Sequence, residues 1–232
     1  MAENEIIMRP VAHIRTDFAT KFGIPKQSGL VPSLRGRVVF APEYRSPEAV
    51  RGLEAFSHIW LLWQFSGAVK ENETFSPTVR PPRLGGNRRV GVFASRSPFR
   101  PNHIGLSCVE LEGIDLDDPE GPVLIVRGAD LMDGTPILDV KPYIPYADSR
   151  PEAAGGFTDM SAARTARVMF PPDLLEKVPA DRREALIGVL EQDPRPSYQE
   201  DPDRVYGFRF AGREIKFRVS DGVLTVVAVE ND

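Results

Sequence analysis

Up to about residue 145 the apolar positions come in short runs separated by turn residues. Val38-Val39-Phe40, Ile59 to Phe65, Val90 to Ala94 and Ile137 to Ile144 each read as a strand. Val109-Glu110-Leu111-Glu112 alternates, which predicts a strand with one wet face. Val123 to Val126 is apolar throughout, the pattern of a strand buried on both faces. Many short strands with regular turns predict a barrel or a sandwich. A short helix interrupts them, with Ser46 as cap, Pro47 at the first helical position, and Val50 and Leu53 on one face. Residues 150–156, Arg-Pro-Glu-Ala-Ala-Gly-Gly, read as a linker or long loop. Beyond it, Asp181 with Glu184 resembles a capping box, and Leu186, Val189 and Leu190 form an apolar stripe that Pro194 ends. Ile215, Phe217 and Val219 then alternate with Lys216 and Arg218, and Asp221-Gly222 supplies a tight turn before Val223 to Val229. The expected fold class is mainly β with α+β: a strand-rich N-terminal part and a small C-terminal α+β unit.

Composition agrees with a folded chain. The 232 residues are 41% hydrophobic and 27% charged, outside the disordered range. The net charge of −4 excludes a uniformly basic nucleic-acid binder. A single cysteine excludes a disulfide framework and a cysteine-based zinc site. His13, His58 and His103 lack metal-ligand spacing, so no metal is expected. The acidic start Met-Ala-Glu-Asn-Glu is unlike a signal peptide, and the run Ile59 to Trp63 is too short to span a bilayer; a cytoplasmic protein is expected, with no membrane partner. No two glycines lie two apart, so the dinucleotide fingerprint G-x-G-x-x-G is missing. Gly86 and Gly91 have P-loop spacing, but Val92 stands where lysine is needed. No G-x-S-x-G elbow occurs.

Residues 80–103 hold six arginines (80, 83, 88, 89, 96 and 100) and no carboxylate. In an acidic protein this is a local positive field, and guanidinium forks pair with phosphates and with ligand carboxylates alike. The alternative is a solvated loop whose arginines pair with the abundant acidic residues elsewhere.

Within that window, Arg96-Ser97-Pro98-Phe99-Arg100-Pro101-Asn102-His103-Ile104-Gly105-Leu106-Ser107 resembles the R-S-P-x-R-P-N-x-I-G-L-S motif of the TsaA/TrmO family. Gly52 to Trp60 resembles the family's G-L-E-x-F-S-H-x-W stretch, and Arg80 to Gly86 its arginine-rich loop. Leu131 to Tyr143 resembles its D-G-T-P-x-x-D-x-K-P-Y segment. Gln192 to Tyr198 resembles the Q-D-P-R-P-x-Y element of two-domain bacterial members. The resemblance covers most of the chain.

The family resemblance implies an S-adenosyl-L-methionine-dependent methyltransferase acting, as a homodimer, on N(6)-threonylcarbamoyladenosine beside the tRNA anticodon. It implies a small non-Rossmann β-barrel over 8–150 and a C-terminal α+β domain over 151–232, available for tRNA recognition. Donor contacts map onto Lys26, Gln27, Ser28, Ser66, Gly67, Arg96, Leu106, Asp133, Gly134, Thr135 and Pro136. Lys26, Ser28 and Ser66 depart from the commonest residues of the family. Chemistry adds roles. The donor's carboxylate wants Arg96, its amine and sulfonium want an acceptor such as Asp133, and its adenine wants an apolar wall such as Leu106 and Ile104. The acceptor nitrogen is a poor nucleophile and needs a base or hydrogen-bond acceptor, for which Asp133, Asp139 and Tyr143 are candidates. Each also has a simpler account: Asp133-Gly134 as a tight turn, Asp139 as an outward strand residue, and His58 as a core histidine. Asn102 reads as the turn residue with an unusual backbone, and Arg100 as a partner for Glu54.

Residues 173–232 carry 13 acidic and 9 basic groups, so tRNA phosphates must meet a patch rather than a whole domain. Arg80, Arg83, Arg88, Arg89 and Arg100 are the candidates, joined by Arg195 and Tyr198, which sit just past a helix and have the alternative of only packing the C-terminal unit. Two other readings compete: a non-catalytic RNA-binding barrel, and a methyltransferase using the same donor on a small molecule.

Overall fold

The structure, a computed structural model, describes residues 6–67, 75–85, 87–159, 165–195 and 201–231. The strands are β1 (Ala12–Arg15), β2 (Arg35–Phe40), β3 (His58–Gln64), the two-residue β4 (Thr78–Val79) and β5 (Val90–Gly91), β6 (Ile104–Asp115), β7 (Val123–Arg127), β8 (Pro136–Pro142), β9 (Arg167–Met169), β10 (Tyr206–Phe210), β11 (Arg213–Ser220) and β12 (Val223–Asn231). The α-helices are α1 (Pro47–Val50), α2 (Pro145–Asp148), α3 (Pro172–Leu175) and α4 (Arg183–Glu191). Six strands close into a barrel in the order β1-β2-β7-β6-β3-β8, every pairing antiparallel. Closure removes the free edges that an open sheet would expose.

Alternation along the strands decides what fills the barrel. Ile59, Leu61 and Trp63 of β3 point inward, with Ala12, Ile14, Val38, Val109, Leu124, Val126 and Ile137. Trp63 needs space, and Gly105, its register partner on β6, supplies it: a Cβ at Gly105 would lie 2.3 Å from the indole. The buried indole N–H is satisfied by the Ser107 hydroxyl at 3.0 Å.

The second core lies on a four-stranded sheet of order β10-β11-β12-β9, in which only β9 is parallel to its neighbour. Its hairpin turns at Asp221-Gly222, both with positive φ (49° and 75°), the geometry that a two-residue turn requires. Leu186, Val189 and Leu190 of α4 are buried against Phe208, Phe217 and Leu224. Phe18, Val31 and Leu34, from the connection between β1 and β2, belong to this second core and not to the barrel.

Several local expectations fail. Val90 to Ala94 is not one strand; after Val90–Gly91 the chain turns into a 3-10 helix, Val92–Ala94. Neither Ser46 nor Asp181 makes a side-chain cap; Asp181 pairs with Arg182 at 2.7 Å. His58 is exposed, its ring nitrogen 3.0 Å from the Ser57 hydroxyl, so it is no core histidine. The strained backbone in the 96–107 motif is at His103 (φ 49°), whose ring Nδ1 meets the Pro98 carbonyl at 2.9 Å, and not at Asn102.

Candidate functional site

The connection between β1 and β2 has two faces. One is anchored in the second core: Phe18 packs edge-on against Phe210 with ring centroids 5.3 Å apart. Gly23 (φ 94°) sits where a Cβ would come within 2.4 Å of the Phe208 ring, and Gly188 of α4 makes room for Val31. Asp17 is tied to Arg182 at 2.8 Å, and its carbonyl accepts the Ala211 N–H at 3.0 Å. Burial raises the Asp17 pKa; the Arg182 guanidinium opposes that rise, and the charges of Asp181 and Asp133 add to it. Gripped from behind in this way, the connection presents exposed Lys26 and Gln27 at its other face.

Other parts of the barrel converge there. Arg96 donates from Nη1 to the Gln27 side-chain oxygen at 2.6 Å. The Gly29 N–H donates to the Gly128 carbonyl at 2.8 Å, which joins the 26–29 stretch to the β7–β8 connection. That connection folds back on β1: Asp133 N–H reaches the Phe18 carbonyl, Gly134 N–H the Ile14 carbonyl, and the Asp133 carboxylate accepts the Thr16 N–H at 3.0 Å. Asp133-Gly134 does make a turn, with φ 73° at Gly134 and Thr135 buried beneath it, donating to the Met132 carbonyl at 2.7 Å. Pro136 follows at the start of β8. Beyond β3, Ser66 and Gly67 are exposed, and a Cβ on Gly67 would lie 3.0 Å from the Met132 methyl. Thus 26–28, 66–67, 96 and 133–136, far apart in sequence, form one surface. Leu106 lies on the outward face of β6, opposite Leu62, and is 46% exposed.

The three candidate bases separate. Asp133 stands in this surface. Asp139, in the β8 register opposite Leu62, is held by Lys141 at 2.8 Å and borders a different cleft of about 530 Å³ lined by Val11, Phe40, Tyr44, Val50 and Leu53. Tyr143 lies at the far end of β3: its N–H binds the His58 carbonyl, and its ring packs near Trp60 at 5.8 Å. A strand advances about 3.4 Å per residue, so this end is roughly 20 Å from Gln64. Within one chain, Tyr143 therefore does not join the Arg96 surface.

The arginines divide equally clearly. Among the described residues, none of Arg80, Arg88, Arg89, Arg96 and Arg100 forms an ion pair. Arg89 donates to the Thr78 hydroxyl at 2.9 Å, and Arg100 donates to the Ser95 carbonyl at 3.1 Å rather than to Glu54. Arg195, expected at an RNA surface, is instead 7% exposed and closes a two-pronged ion pair with Asp193, both bonds 2.8 Å. The guanidinium is needed to balance a carboxylate taken out of water. The Arg83 side chain and all of Tyr198 lie outside the described residues. No group of His, Cys, Asp and Glu suited to a metal ion occurs among the described residues, and no helix there is long and apolar enough to cross a membrane. One half-buried acid escaped the sequence reading: Asp130, whose carboxylate accepts the Ser107 hydroxyl at 2.6 Å.

Residues 13–149 match the family model of the tRNA-methyltransferase O N-terminal domain, and residues 164–232 match the TrmO C-terminal domain. The chain belongs to the tRNA-methyltransferase O family. It is 40% identical over 225 residues to the Escherichia coli tRNA (adenine(37)-N6)-methyltransferase, covering 94% of each chain. It is 43% identical to the enzyme of the same name from Eikenella corrodens, covering 75% of this chain and 97% of that relative. A Pyrococcus abyssi relative named for S-adenosyl-L-methionine binding is 31% identical, over 74% of this chain and 93% of its own. The crystal structure of TrmO from Pseudomonas aeruginosa superposes with a TM-score of 0.77 at 32% identity, covering 98% of this chain and all of that one (100%).

Proposed function

We propose that this chain transfers a methyl group from S-adenosyl-L-methionine to N6 of adenine 37 in tRNA, on an adenosine already carrying the threonylcarbamoyl group. The observation that carries the reading is the surface that 26–28, 66–67 and 133–136 form with Arg96, an exposed cation that donates to the Gln27 amide and closes no ion pair among the described residues. Such an arginine keeps most of its donors for a ligand.

The residues fit a zwitterionic nucleoside donor. Arg96 binds its carboxylate, helped by backbone N–H groups of Lys26 to Ser28 and of Ser66-Gly67. Asp133 and the turn carbonyls of 133–136 hold its amine, and Leu106 walls its adenine. When bound, the donor supplies an electrophilic methyl on a positive sulfur. The protein's contribution is to place that methyl in line with the acceptor nitrogen. The acceptor nitrogen is urea-like and surrenders its proton reluctantly, so an acceptor at the surface assists; our candidate is Asp133. Asp139 and Tyr143 would reach the surface only from a second copy, which fits a homodimer. The unpaired Arg80, Arg88, Arg89 and Arg100, with Arg83, take the tRNA phosphates. The unit division 8–150 and 151–232 gives donor binding and the phosphate-binding arginines to the first and leaves the second available for further tRNA recognition, and the cytoplasm is where such a substrate is found.

The test is mass spectrometry of anticodon-loop nucleosides after incubation with the donor and purified tRNA. A mass gain of one methyl on threonylcarbamoylated tRNA, and none on unmodified tRNA, is expected. Equal gain on both would overturn the threonylcarbamoyl requirement. Arg96→Ala should weaken donor binding in calorimetry by about tenfold or more, as removal of a charge-assisted hydrogen bond does; unchanged affinity would remove Arg96 from the carboxylate.

A further inference from the structure

Thirteen phenylalanines occur in the chain, and the three most exposed stand at the arginine window: Phe93 at 72%, Phe75 at 56% and Phe99 at 45%. Strand pairing explains how two of them meet. β4 and β5 run antiparallel with Thr78 opposite Gly91, and the Val92 N–H continues the ladder to the Pro77 carbonyl at 2.9 Å, which brings Phe75 and Phe93 to the same end of this small sheet. Phe99 follows six residues after Phe93, and Arg96 lies midway between them. The backbone that carries the rings is tied down. Val92 is buried, and Ser95 closes the 3-10 turn with its N–H and its hydroxyl both on the Val92 carbonyl, at 3.2 and 2.8 Å. Arg100 donates from Nη1 to the Ser95 carbonyl at 3.1 Å and from its backbone N–H to the Pro98 carbonyl at 2.8 Å. A braced loop thus holds the rings out in water. A benzyl ring has no polar end for water to bind, and aromatic surface gathered in this way marks a contact site.

We propose that Phe93 and Phe99, with Phe75 at the edge, form a stacking platform for unpaired nucleobases of the anticodon loop beside the adenine that is methylated. This rests on the tRNA reading given above. Single-stranded RNA alternates a negative phosphate with a flat base, and proteins hold it with cations and aromatic faces set among one another. The window supplies both. Arg88, Arg89, Arg96 and Arg100 close no ion pair among the described residues, and residues 80–103 contain no carboxylate. Adenine presents N6 at its edge. To bring that edge to a donor held at Arg96 the base must leave its stack, and its neighbours then need another surface to stack on. A second copy of this chain is the poorer occupant, because an isologous contact centred on this loop would set the unpaired arginines of two copies against each other.

The probes are an anticodon-arm hairpin carrying threonylcarbamoyladenosine and a blunt duplex of the same stem without the loop. Phe93→Ala and Phe99→Ala should each raise the Kd for the hairpin by about tenfold, the loss of one stacked base. The slope of log affinity against log salt should hold, because a phenylalanine releases no counterion. Duplex affinity, donor affinity and denaturant unfolding should hold as well. Phe93→Tyr and Phe99→Tyr keep an aromatic face and should bind the hairpin as the wild-type chain does; Phe93→Leu and Phe99→Leu are apolar without one and should not recover the loss. Leucine variants that bind like wild type would reduce the contact to ordinary apolar burial and overturn the platform. So would an equal loss on the duplex, or an unchanged hairpin Kd in both alanine variants. A change of oligomeric state in sedimentation would give the rings to a second copy and overturn it too. If the wild-type chain methylates neither the hairpin nor whole tRNA, the tRNA reading fails and the platform with it. If it methylates and binds while the alanine variants match it, the platform alone fails.

Discussion

Two sets of arginines share one barrel, and their partners differ. Arg15, Arg35 and Arg37, on β1 and β2, each meet a carboxylate of the β6–β7 region: Glu120 at 2.9 Å, Glu112 at 2.5 Å, and Asp118. Arg89, Arg96 and Arg100 meet a hydroxyl, an amide and a carbonyl. A guanidinium already neutralised must give up its carboxylate before it can take a phosphate. One held by a single neutral acceptor is oriented, yet keeps its charge and most of its five N–H groups. Arg195 stands at the extreme of the first set, enclosed with Asp193 beside α4. The same residue type thus serves as structure in one region and as a receptor in the other, and the partner decides which.

The largest effect should come from the enclosed pair. Asp193→Ala takes from the enclosed Arg195 guanidinium one carboxylate and two charge-assisted hydrogen bonds, a change that typically costs about 2 kcal/mol. Denaturant unfolding reads it directly; a loss under about 1 kcal/mol would mean that water enters the site and the pair is not truly enclosed. The exposed set should behave in the opposite way. Arg88→Ala with Arg89→Ala should leave unfolding nearly unchanged, weaken tRNA binding, and flatten the slope of log affinity against log salt by roughly 1.5, at about 0.7 to 0.9 for each phosphate no longer neutralised. Donor affinity should not move. An unaltered slope would take both arginines off the phosphate path.

The difference between the two sets was only partly visible in the sequence. The crowding of arginines at 80–100 without carboxylates was legible, and so were most barrel strands and the Asp221-Gly222 hairpin, because alternation and turn chemistry are local signals. The partners were not legible. Glu112, Asp118 and Glu120 lie some eighty to a hundred positions from the arginines they hold, brought close by barrel closure alone. Arg195 is two residues from Asp193, but nothing local showed that both would be buried just past α4. Asp130 was missed for a similar reason: its partner Ser107 comes from another segment of the chain. The four-residue β1 gives too short a period to count. The pattern Tyr206, Phe208, Phe210 was a period-two signal open to reading. Val92 shows local preference yielding to context, since a β-branched residue opens a 3-10 turn where the chain must swing Arg96 toward Gln27.

The smallest effect tests the comparison from its quiet side. Arg35 pairs with Glu112 on the barrel surface, the side chains 53% and 29% exposed. Water screens such a pair, and holding two long side chains together costs entropy, so Arg35→Ala should destabilise by about 0.5 kcal/mol or less. It should also leave the salt slope of tRNA binding unchanged, because an arginine engaged with Glu112 neutralises no phosphate. Glu112→Gln makes the stricter version. It frees Arg35 without removing it, and so moves one arginine from the first set to the second. If carboxylate pairing is what silences the β1–β2 arginines, and if this face lies near the tRNA path, the variant should bind tRNA slightly more tightly with a steeper salt slope. If the face lies away from that path, freeing Arg35 should change neither quantity, and distance from the RNA would silence this arginine as well as its partner does. Salt titration of Glu112→Gln beside Arg35→Ala separates the two causes, since only the first lets a freed charge show in the slope.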